Sequence, residues 1–417
     1  MLKLTANMAT LITGREKRCS DLPIKRLAMK NDKFIIMKYK STQLFIFLAL
    51  ATSLSCTKAQ IKLGAHQTTN YFPLLSQKNI AVVANQTSMI DNVHLVDSLL
   101  GANINVLKVF SPEHGFRGKA DAGTYIENEI DKLSSLPIVS LYGKNKKPSF
   151  EQLQNLDIIV FDIQDVGARF YTYISTLHYV MEAAAQNNIS LIVLDRPNPN
   201  IHYTDGPVLD TAFTSFVGMH PIPVVHGMTI GEYAQMINGQ NWLIDGLTCE
   251  LTVIKMKNYD RQTKYDLPIN PSPNLPNSIS INLYPSLCFF EGTNVSVGRG
   301  TDIPFQHFGA PYLQTDYSFI PKSGPGSKYP KYENVKCFGE DLRNENLLSQ
   351  INLEYLLFAF QNCDDKENFF NNFFAKLAGG NNLRDQIITG KSANEIRQSW
   401  QKGLQEFKEM REPYLLY

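Results

Sequence analysis

The chain has 417 residues and almost balanced charge, with 40 Lys and Arg against 39 Asp and Glu. At roughly 100–200 residues per domain this length predicts two domains, and an apolar fraction of 43% is enough to fill their cores. These values exclude a disordered chain and a charge-dominated solenoid, and the net charge of +1 argues against an electrostatic nucleic-acid binder.

The amino-terminal part of the chain has the features of a targeting segment. Residues 37–56 combine a short basic stretch, an apolar run and a stretch of small residues, which is the layout of a secretory signal. The apolar run is much shorter than the roughly 20 residues that cross a bilayer. Cys56 resembles the lipid acceptor of a bacterial lipoprotein, although Leu54 lies one position later than in the usual motif. We therefore predict an exported lipoprotein, periplasmic or at the outer membrane, that contacts the membrane only through lipid on Cys56. Plain secretion and a buried amino-terminal helix are the alternatives.

Residues 1–36 are basic and have no clear apolar period. They are either an extension upstream of a true start at Met37 or a disordered segment. Because this leader carries an excess of Lys and Arg, the chain from Cys56 onward is net acidic. An anionic substrate would then be attracted by a few placed arginines rather than by the overall field.

The next part of the chain alternates between strand and helix patterns. Five apolar runs predict strands, at 80–84, 104–110, 137–141, 156–161 and 189–194. Continuous apolar runs of this length are typical of strands buried on both faces of a parallel sheet. A helical pattern occupies 172–187, and 222–225 predicts a further strand. The repetition of strand and helix predicts an open α/β sheet.

Polar residues follow the carboxyl ends of these predicted strands. They are Asn85 after the first run, Glu113 and His114 after the second, Asp162, Gln164, Asp165 and Arg169 after the run at 156–161, Arg196 and Asn198 after the run at 189–194, and His226 after 222–225. Open α/β sheets bind ligands outside the carboxyl ends of their strands. The sequence therefore predicts a functional site at this edge.

Several familiar sites are missing from the sequence. No dinucleotide or P-loop fingerprint, no H-E-x-x-H and no G-x-S-x-G is present. The four cysteines beyond the leader have no C-x-x-C spacing, so we expect buried, inert thiols rather than zinc ligands or a redox pair. The eight histidines show no spacing that requires a metal, and no cofactor is predicted.

After residue 255 the chain becomes rich in loops. The stretch from 270 to 311 contains many Pro and Gly residues and includes Asn274, Glu291, Asn294 and Arg299. Long loops of this kind are often functional. The chain ends in helical patterns, notably 392–408, where Ser392 is a predicted cap.

Six motifs, in this order, resemble the exo-β-N-acetylmuramidase family. They are Ser-Pro-Glu-His-Gly (111–115), Asp-Ile-Gln-Asp-Val-Gly-Ala-Arg-Phe-Tyr-Thr-Tyr (162–173), Asp-Arg-Pro-Asn-Pro (195–199), His-Gly-Met-Thr-Ile-Gly-Glu (226–232), Pro-Ser-Pro-Asn-Leu-Pro (271–276) and Glu-Gly-Thr-Asn-Val-Ser-Val-Gly-Arg-Gly-Thr (291–301). The resemblance covers residues 61–417. It implies a Rossmann-like catalytic domain, here 61–255, a smaller α+β carboxyl-terminal auxiliary domain, here 256–417, and an active site in the cleft between them.

The resemblance also implies the reaction, which is release of N-acetylmuramic acid (MurNAc) from the non-reducing end of peptidoglycan fragments such as MurNAc-GlcNAc. The family's leading catalytic residue is the Glu of the Glu-His-Gly motif, here Glu113. We expect it to act as general acid. His114 would shuttle protons or orient Glu113, and a purely structural role is equally compatible with the sequence.

A glycosidase usually needs a second carboxyl group. For this role Asp165 ranks above Glu291 and Asp162, because we expect nearby Arg169 to keep Asp165 ionised. Arg169, Arg196 and Arg299 are candidates to bind the lactyl carboxylate of MurNAc. The remaining predicted substrate contacts are Asn85, Gln164, Asn198, Asn274 and Asn294 for hydroxyl or acetamido groups, Tyr171 for stacking on a sugar face, and His226 and Glu291.

Two other functions remain open at this stage. The first is a metal-dependent hydrolase that uses His114, Asp162 and His226. The second is a lipoprotein that binds muropeptides without cleaving them, although pure sugar binding does not need an acid at a strand end.

Overall fold

The structure, a computed structural model, describes residues 60–113, 115–116 and 129–417. The predicted leader, the lipid acceptor Cys56 and the catalytic candidate His114 lie outside the described residues, so those predictions stay untested. None of the described helices is long and apolar enough to span a membrane.

A seven-stranded sheet lies at the centre of the first part of the chain. The strands of this part, in chain order, are β1 (Asn79–Ala84), β2 (Met89–Ile90), β3 (Val93–His94), β4 (Asn105–Ser111), β5 (Glu129–Ile130), β6 (Pro137–Ser140), β7 (Ile158–Asp162), β8 (Ser190–Leu194) and β9 (Leu251–Ile254). β2 and β3 form a separate short hairpin, and the other seven strands form the sheet. The sheet order is β5-β6-β4-β1-β7-β8-β9, and every neighbouring pair is parallel except β5 with β6. The five predicted strands and the open parallel α/β sheet are confirmed.

The strand order creates a ligand crevice in the middle of the sheet. From β1 the chain proceeds to β4 and β6 on one side, and from β7 to β8 and β9 on the other. The strand order therefore reverses between β1 and β7, which is where Rossmann-like sheets bind their ligands.

The predicted strand at 222–225 is wrong. Only Val225 pairs there, through isolated bridges to Ala168 and Asp205. Pro221 and Pro223 have no N–H to donate, so this segment cannot continue a ladder. The strand β9 (Leu251–Ile254), a short edge strand that is only partly buried, was not among the predicted strands.

Helices cover the sheet and build most of the carboxyl-terminal part. They are α1 (Thr68–Leu75), α2 (Leu95–Gly101), α3 (Phe150–Leu153), α4 (Tyr173–Gln186), α5 (Ile230–Gly239), α6 (Ser278–Leu287), α7 (Glu354–Gln361), α8 (Phe374–Ala378), α9 (Asn382–Ile388), α10 (Ala393–Ser399) and α11 (Gln401–Arg411). A small antiparallel sheet has the order β10-β12-β11, with β10 (His307–Ala310), β11 (Tyr317–Phe319) and β12 (Cys337–Asp341). This matches the expected smaller α+β region.

Two apolar clusters form the core on opposite faces of the large sheet. Successive residues of β1 alternate between them, with Ala81 and Val83 in the larger cluster and Ile80 and Val82 in the smaller one. The larger cluster extends into the carboxyl-terminal part, where it includes Phe308 of β10 and Trp400 between α10 and α11. The carboxyl-terminal part therefore packs against one face of the sheet, and Gln60–Tyr417 form one compact unit.

Local predictions near the carboxyl terminus hold with one difference. Ser392 caps α10 through a reciprocal capping box with Glu395, as expected. The helical stretch is interrupted at Trp400, where α10 ends and α11 begins. The four cysteines of the described chain are free and buried, as predicted.

Candidate active site

The carboxyl end of β4 brings Glu113 to the edge of the crevice. Glu113 is half-buried, and its Oε2 accepts a hydrogen bond of 3.1 Å from the Thr172 hydroxyl, just before α4. Tyr142 lies near this carboxylate, close enough for the charge of Glu113 to act on its phenol. Burial, together with the charge of Glu113, raises the pKa of Tyr142 well above its usual range, so the phenol stays uncharged. Glu113 is thus a carboxyl group bound by the Thr172 hydroxyl, with the Tyr142 phenol nearby.

A small cavity of about 50 Å³ opens beside Glu113. Three further residues of the predicted site line it, namely Tyr171, Asn274 and Arg299. Its other walls are mostly aromatic and include Tyr173, Tyr284 and Phe305. Aromatic faces with a few placed polar groups are typical of sugar-binding sites.

The loop around Pro271 closes one side of this cavity. The carbonyl of Pro271 accepts hydrogen bonds from the hydroxyls of Tyr171 at 2.8 Å and Tyr173 at 3.2 Å. Gln86, directly after Asn85 at the end of β1, donates to the same carbonyl at 3.3 Å. The downstream loop that the sequence marked as functional therefore lies over the crevice of the large sheet.

Arg299 contributes the positive charge of the cavity. Its Nε donates to Glu291 at 2.5 Å, and its guanidinium lies 5.1 Å from the ring centroid of Phe305. A quarter of the side chain is exposed, and no group in the described chain bonds either Nη. A second cavity of about 280 Å³, lined in part by Lys331 and Phe373, adjoins the other side of Arg299. Arg299 can therefore bind an anionic ligand group with its two Nη atoms.

Asp165 and His226 form a second, deeply buried pair. Asp165 Oδ2 lies 3.8 Å from His226 Nε2, and the side chains are 6% and 1% exposed. Asp165 Oδ1 and His226 Nε2 have no hydrogen-bond partner among the described residues. Burial raises the pKa of Asp165 to about 7, and burial, then the nearby Arg411, lowers the pKa of His226 to about 3. Asp165 does not line the Glu113 cavity, but its charge acts on Tyr171 and Tyr173, which do.

The expected partnership between Arg169 and Asp165 is wrong. The guanidinium of Arg169 is completely buried and donates to the carbonyls of Pro207, Ile222 and Leu377 at 2.7–2.8 Å. It has no contact with Asp165, and the buried carboxyl has a raised rather than a lowered pKa. Arg169 therefore holds backbone segments together and cannot reach a lactyl carboxylate.

Arg196 is likewise occupied within the protein. Its Nε and Nη2 bond both oxygens of Asp162 at 2.6 and 2.8 Å, and the two side chains are 5% and 0% exposed. This bidentate pair leaves Arg196 unavailable to substrate. It also leaves Asp162 unsuited to be a second catalytic carboxylate or a metal ligand.

Most predicted amide contacts to substrate serve the fold instead. Asn85 donates to the Tyr173 hydroxyl at 3.0 Å, and Gln164 donates to the carbonyls of Asp165 and Pro197. Asn198 donates to the carbonyl of Met228, and Asn294 accepts from the Tyr312 hydroxyl. Asn274 alone among the five amides lines the cavity, and its Nδ2 donates to the carbonyl of Gly326.

Sequence analysis missed Tyr142, Thr172 and Tyr173 as members of the site. Tyr142 directly follows the predicted strand at 137–141. Tyr142 thus follows a predicted strand end as Glu113 does, but a tyrosine at such a position is more often part of a core than of a site. Thr172 and Tyr173 lie inside the motif at 162–173, but both are uncharged, and neither was among the predicted site residues.

Known proteins resemble this chain over most of its length. Residues 80–279 match the family model "Exo-beta-N-acetylmuramidase NamZ, N-terminal", and residues 282–417 match its carboxyl-terminal counterpart. The peptidoglycan β-N-acetylmuramidase NamZ of Bacillus subtilis is 39% identical over 376 residues, which are 84% of this chain and 89% of that protein.

Two solved structures share the fold. Both are proteins of Bacteroides fragilis described as members of the DUF1343 family. One has a TM-score of 0.81 at 48% identity, and the other 0.73 at 29%. Each comparison covers 86% of this chain and 99% of the other.

Proposed function

The chain belongs to the exo-β-N-acetylmuramidase NamZ family, and from this premise we propose that it releases MurNAc from the non-reducing end of peptidoglycan fragments such as MurNAc-GlcNAc. The observation that carries the proposal is Glu113. It is the carboxyl group at a strand end of the Rossmann-like sheet, beside an aromatic cavity that also contains an arginine.

Glu113 would supply the proton that the reaction needs. When the bond between C1 of MurNAc and the glycosidic oxygen breaks, the carboxylic acid of Glu113 gives its proton to the departing oxygen. Water then supplies the hydroxyl group on C1, and its remaining proton restores the acid. Of the candidate second carboxylates, Glu291 contacts Arg299, which lines the cavity. Asp165 does not line the cavity, and its role as the second carboxylate stays a prediction.

Arg299 would select for the lactyl group that distinguishes MurNAc from GlcNAc. Arg299 and Glu113 line the same cavity, and the Nη atoms of Arg299 are available. Since Arg169 and Arg196 are committed to internal bonds, Arg299 is the arginine we assign to the lactyl carboxylate.

Export and lipidation are further parts of the proposal. The signal-like stretch at 37–56 and the position of Cys56 support an exported lipoprotein, and Cys56 lies four residues before the folded unit that begins at Gln60. Labelling growing cells with an alkyne fatty acid should modify the wild-type chain and leave Cys56→Ser unlabelled. A wild-type protein that is exported without label would favour plain secretion.

The enzymatic proposal is tested with MurNAc-GlcNAc and para-nitrophenyl-MurNAc. The wild-type protein should release MurNAc from both, and Glu113→Gln should lose at least about 100-fold in kcat on MurNAc-GlcNAc, whose departing sugar oxygen needs a proton. Absence of release by the wild type contradicts the assignment as an enzyme, and full activity of Glu113→Gln on MurNAc-GlcNAc contradicts the role of Glu113. A metal-dependent mechanism would instead show itself as loss of activity on dialysis against EDTA, with recovery on addition of Zn²⁺ or Mg²⁺.

A further inference from the structure

The sheet places Tyr142 beside Glu113. β4 and β6 are parallel neighbours, and Ser111 pairs with Ser140 at their carboxyl ends. The Leu141 N–H also donates to the Ser111 carbonyl at 2.7 Å, so the alignment continues past the strands. Glu113 and Tyr142 each lie two residues beyond this pair. The phenol and the carboxyl group are therefore brought together by strand register.

Thr172 reaches the same carboxyl group from a third direction. It occupies the cap position of α4, a helix of 14 residues, yet its hydroxyl makes no bond to the first turn of that helix. A threonine at this position usually caps its own helix. Here the hydroxyl instead donates to Glu113 Oε2 at 3.1 Å.

We infer that Tyr142 is a positioning residue for Glu113 and that it acts together with Thr172 to hold the carboxyl group against the cavity. This inference rests on the proposed function, in which Glu113 is the catalytic acid. The Thr172 hydroxyl already donates to this carboxyl group, and a second bond from Tyr142, on a separate element, would limit its rotation about its last side-chain bonds. Holding a reacting group in a productive geometry lowers the barrier without changing how substrate binds, so the effect should appear in kcat.

The Tyr142 phenol also suits this role over a wide pH range. Burial, with the charge of Glu113, keeps it protonated far above neutral pH, so it remains a hydrogen-bond donor. Its ring is anchored by an aromatic contact with Phe216, whose centroid lies 6.5 Å away. Tyr179 flanks Phe216 as well, with its ring centroid 6.2 Å away, and its pKa is raised by burial and by Glu182 rather than by Glu113. Tyr179 therefore offers a matched control.

The first experiment measures kcat and KM on MurNAc-GlcNAc, whose departing sugar oxygen needs a proton, for Tyr142→Phe, Thr172→Val and Tyr179→Phe. We expect Tyr142→Phe to lose about 10–100-fold in kcat with KM within about threefold of wild type. Thr172→Val should lose kcat in the same way, and Thr172→Ser should regain most of that loss. Tyr179→Phe should stay within about twofold. Circular dichroism confirms folding, and Thr172→Val still tests the inference if Tyr142→Phe does not fold.

A second experiment separates positioning from a general structural effect. If Tyr142 acts through Glu113, adding Tyr142→Phe to Glu113→Gln should change the residual rate by less than about threefold.

The inference is overturned if Tyr142→Phe retains wild-type kcat, or if the double variant loses a further tenfold. Failure of the proposed function looks different. In that case the wild type itself releases nothing, whereas an active wild type, an inactive Glu113→Gln and an unaltered Tyr142→Phe overturn only the positioning role.

Discussion

Replacing Arg169 by Met should destabilise the fold rather than weaken substrate binding. Arg169 donates three hydrogen bonds of 2.7–2.8 Å to backbone carbonyls from separate parts of the chain. A hydrogen bond to a charged group contributes about 1.5–3 kcal/mol, and the low end applies because burial of this cation opposes folding and lowers its pKa to about 9. The loss should be about 4 kcal/mol, a large share of the 5–15 kcal/mol that stabilises a typical domain.

The measurement combines urea unfolding, followed by circular dichroism, with kinetics on para-nitrophenyl-MurNAc at a temperature where the variant is folded. Arg299→Met is the matched control. Its side chain is partly exposed at the cavity, so it should leave the free energy of unfolding within about 1 kcal/mol of wild type and raise KM more than about tenfold. The reasoning fails if Arg169→Met keeps wild-type stability and raises KM instead, since that is the behaviour of a substrate-binding arginine.

Two other predictions concern buried carboxylates. Because burial raises the pKa of Asp165 to about 7, the folded protein binds more protons than the unfolded chain between about pH 4 and 7, and stability falls as pH rises through that window. Asp165→Asn should remove this loss. In urea unfolding, the free energy of unfolding of the variant minus that of wild type should therefore increase by a few kcal/mol from pH 4 to 7. A difference that does not change with pH would contradict the prediction. The Tyr417 hydroxyl donates to buried Asp195 at 2.8 Å and accepts from the Met256 N–H at 2.7 Å. Tyr417→Phe should therefore cost about 2 kcal/mol in thermal unfolding, whereas Tyr329→Phe, 82% exposed, should cost nothing.

The sheet was predictable from sequence because its signal is local. A buried parallel strand needs a continuous apolar run of about four or five residues, and β1 and β7 each contain one. The segment at 222–225 shows the limit of that signal, since its apolar residues are interrupted by prolines that cannot pair. The edge strand β9 shows the opposite limit, because it has only four residues, is partly exposed, and has Thr252 between its apolar residues.

The candidate site was predictable in position but only partly in membership. Strand ends of a parallel sheet meet at one edge, so Glu113 could be placed there from sequence. Sequence could not separate Arg299, with its available Nη atoms, from Arg169 and Arg196, because all three lie in motifs rich in polar residues. Nor could it show that the Pro271 carbonyl would close the crevice through Tyr171 and Tyr173.

The sequence by itself determined the class of sheet, the edge that carries the chemistry and the residue type at its centre, since these follow from short apolar runs and the residues directly after them. Tertiary structure alone decided the role of each polar side chain. The three carbonyls bound by Arg169 lie 38, 53 and 208 residues away along the chain. Whether an arginine is buried among such acceptors or left at a cavity wall depends on packing between distant segments, which a local pattern does not encode.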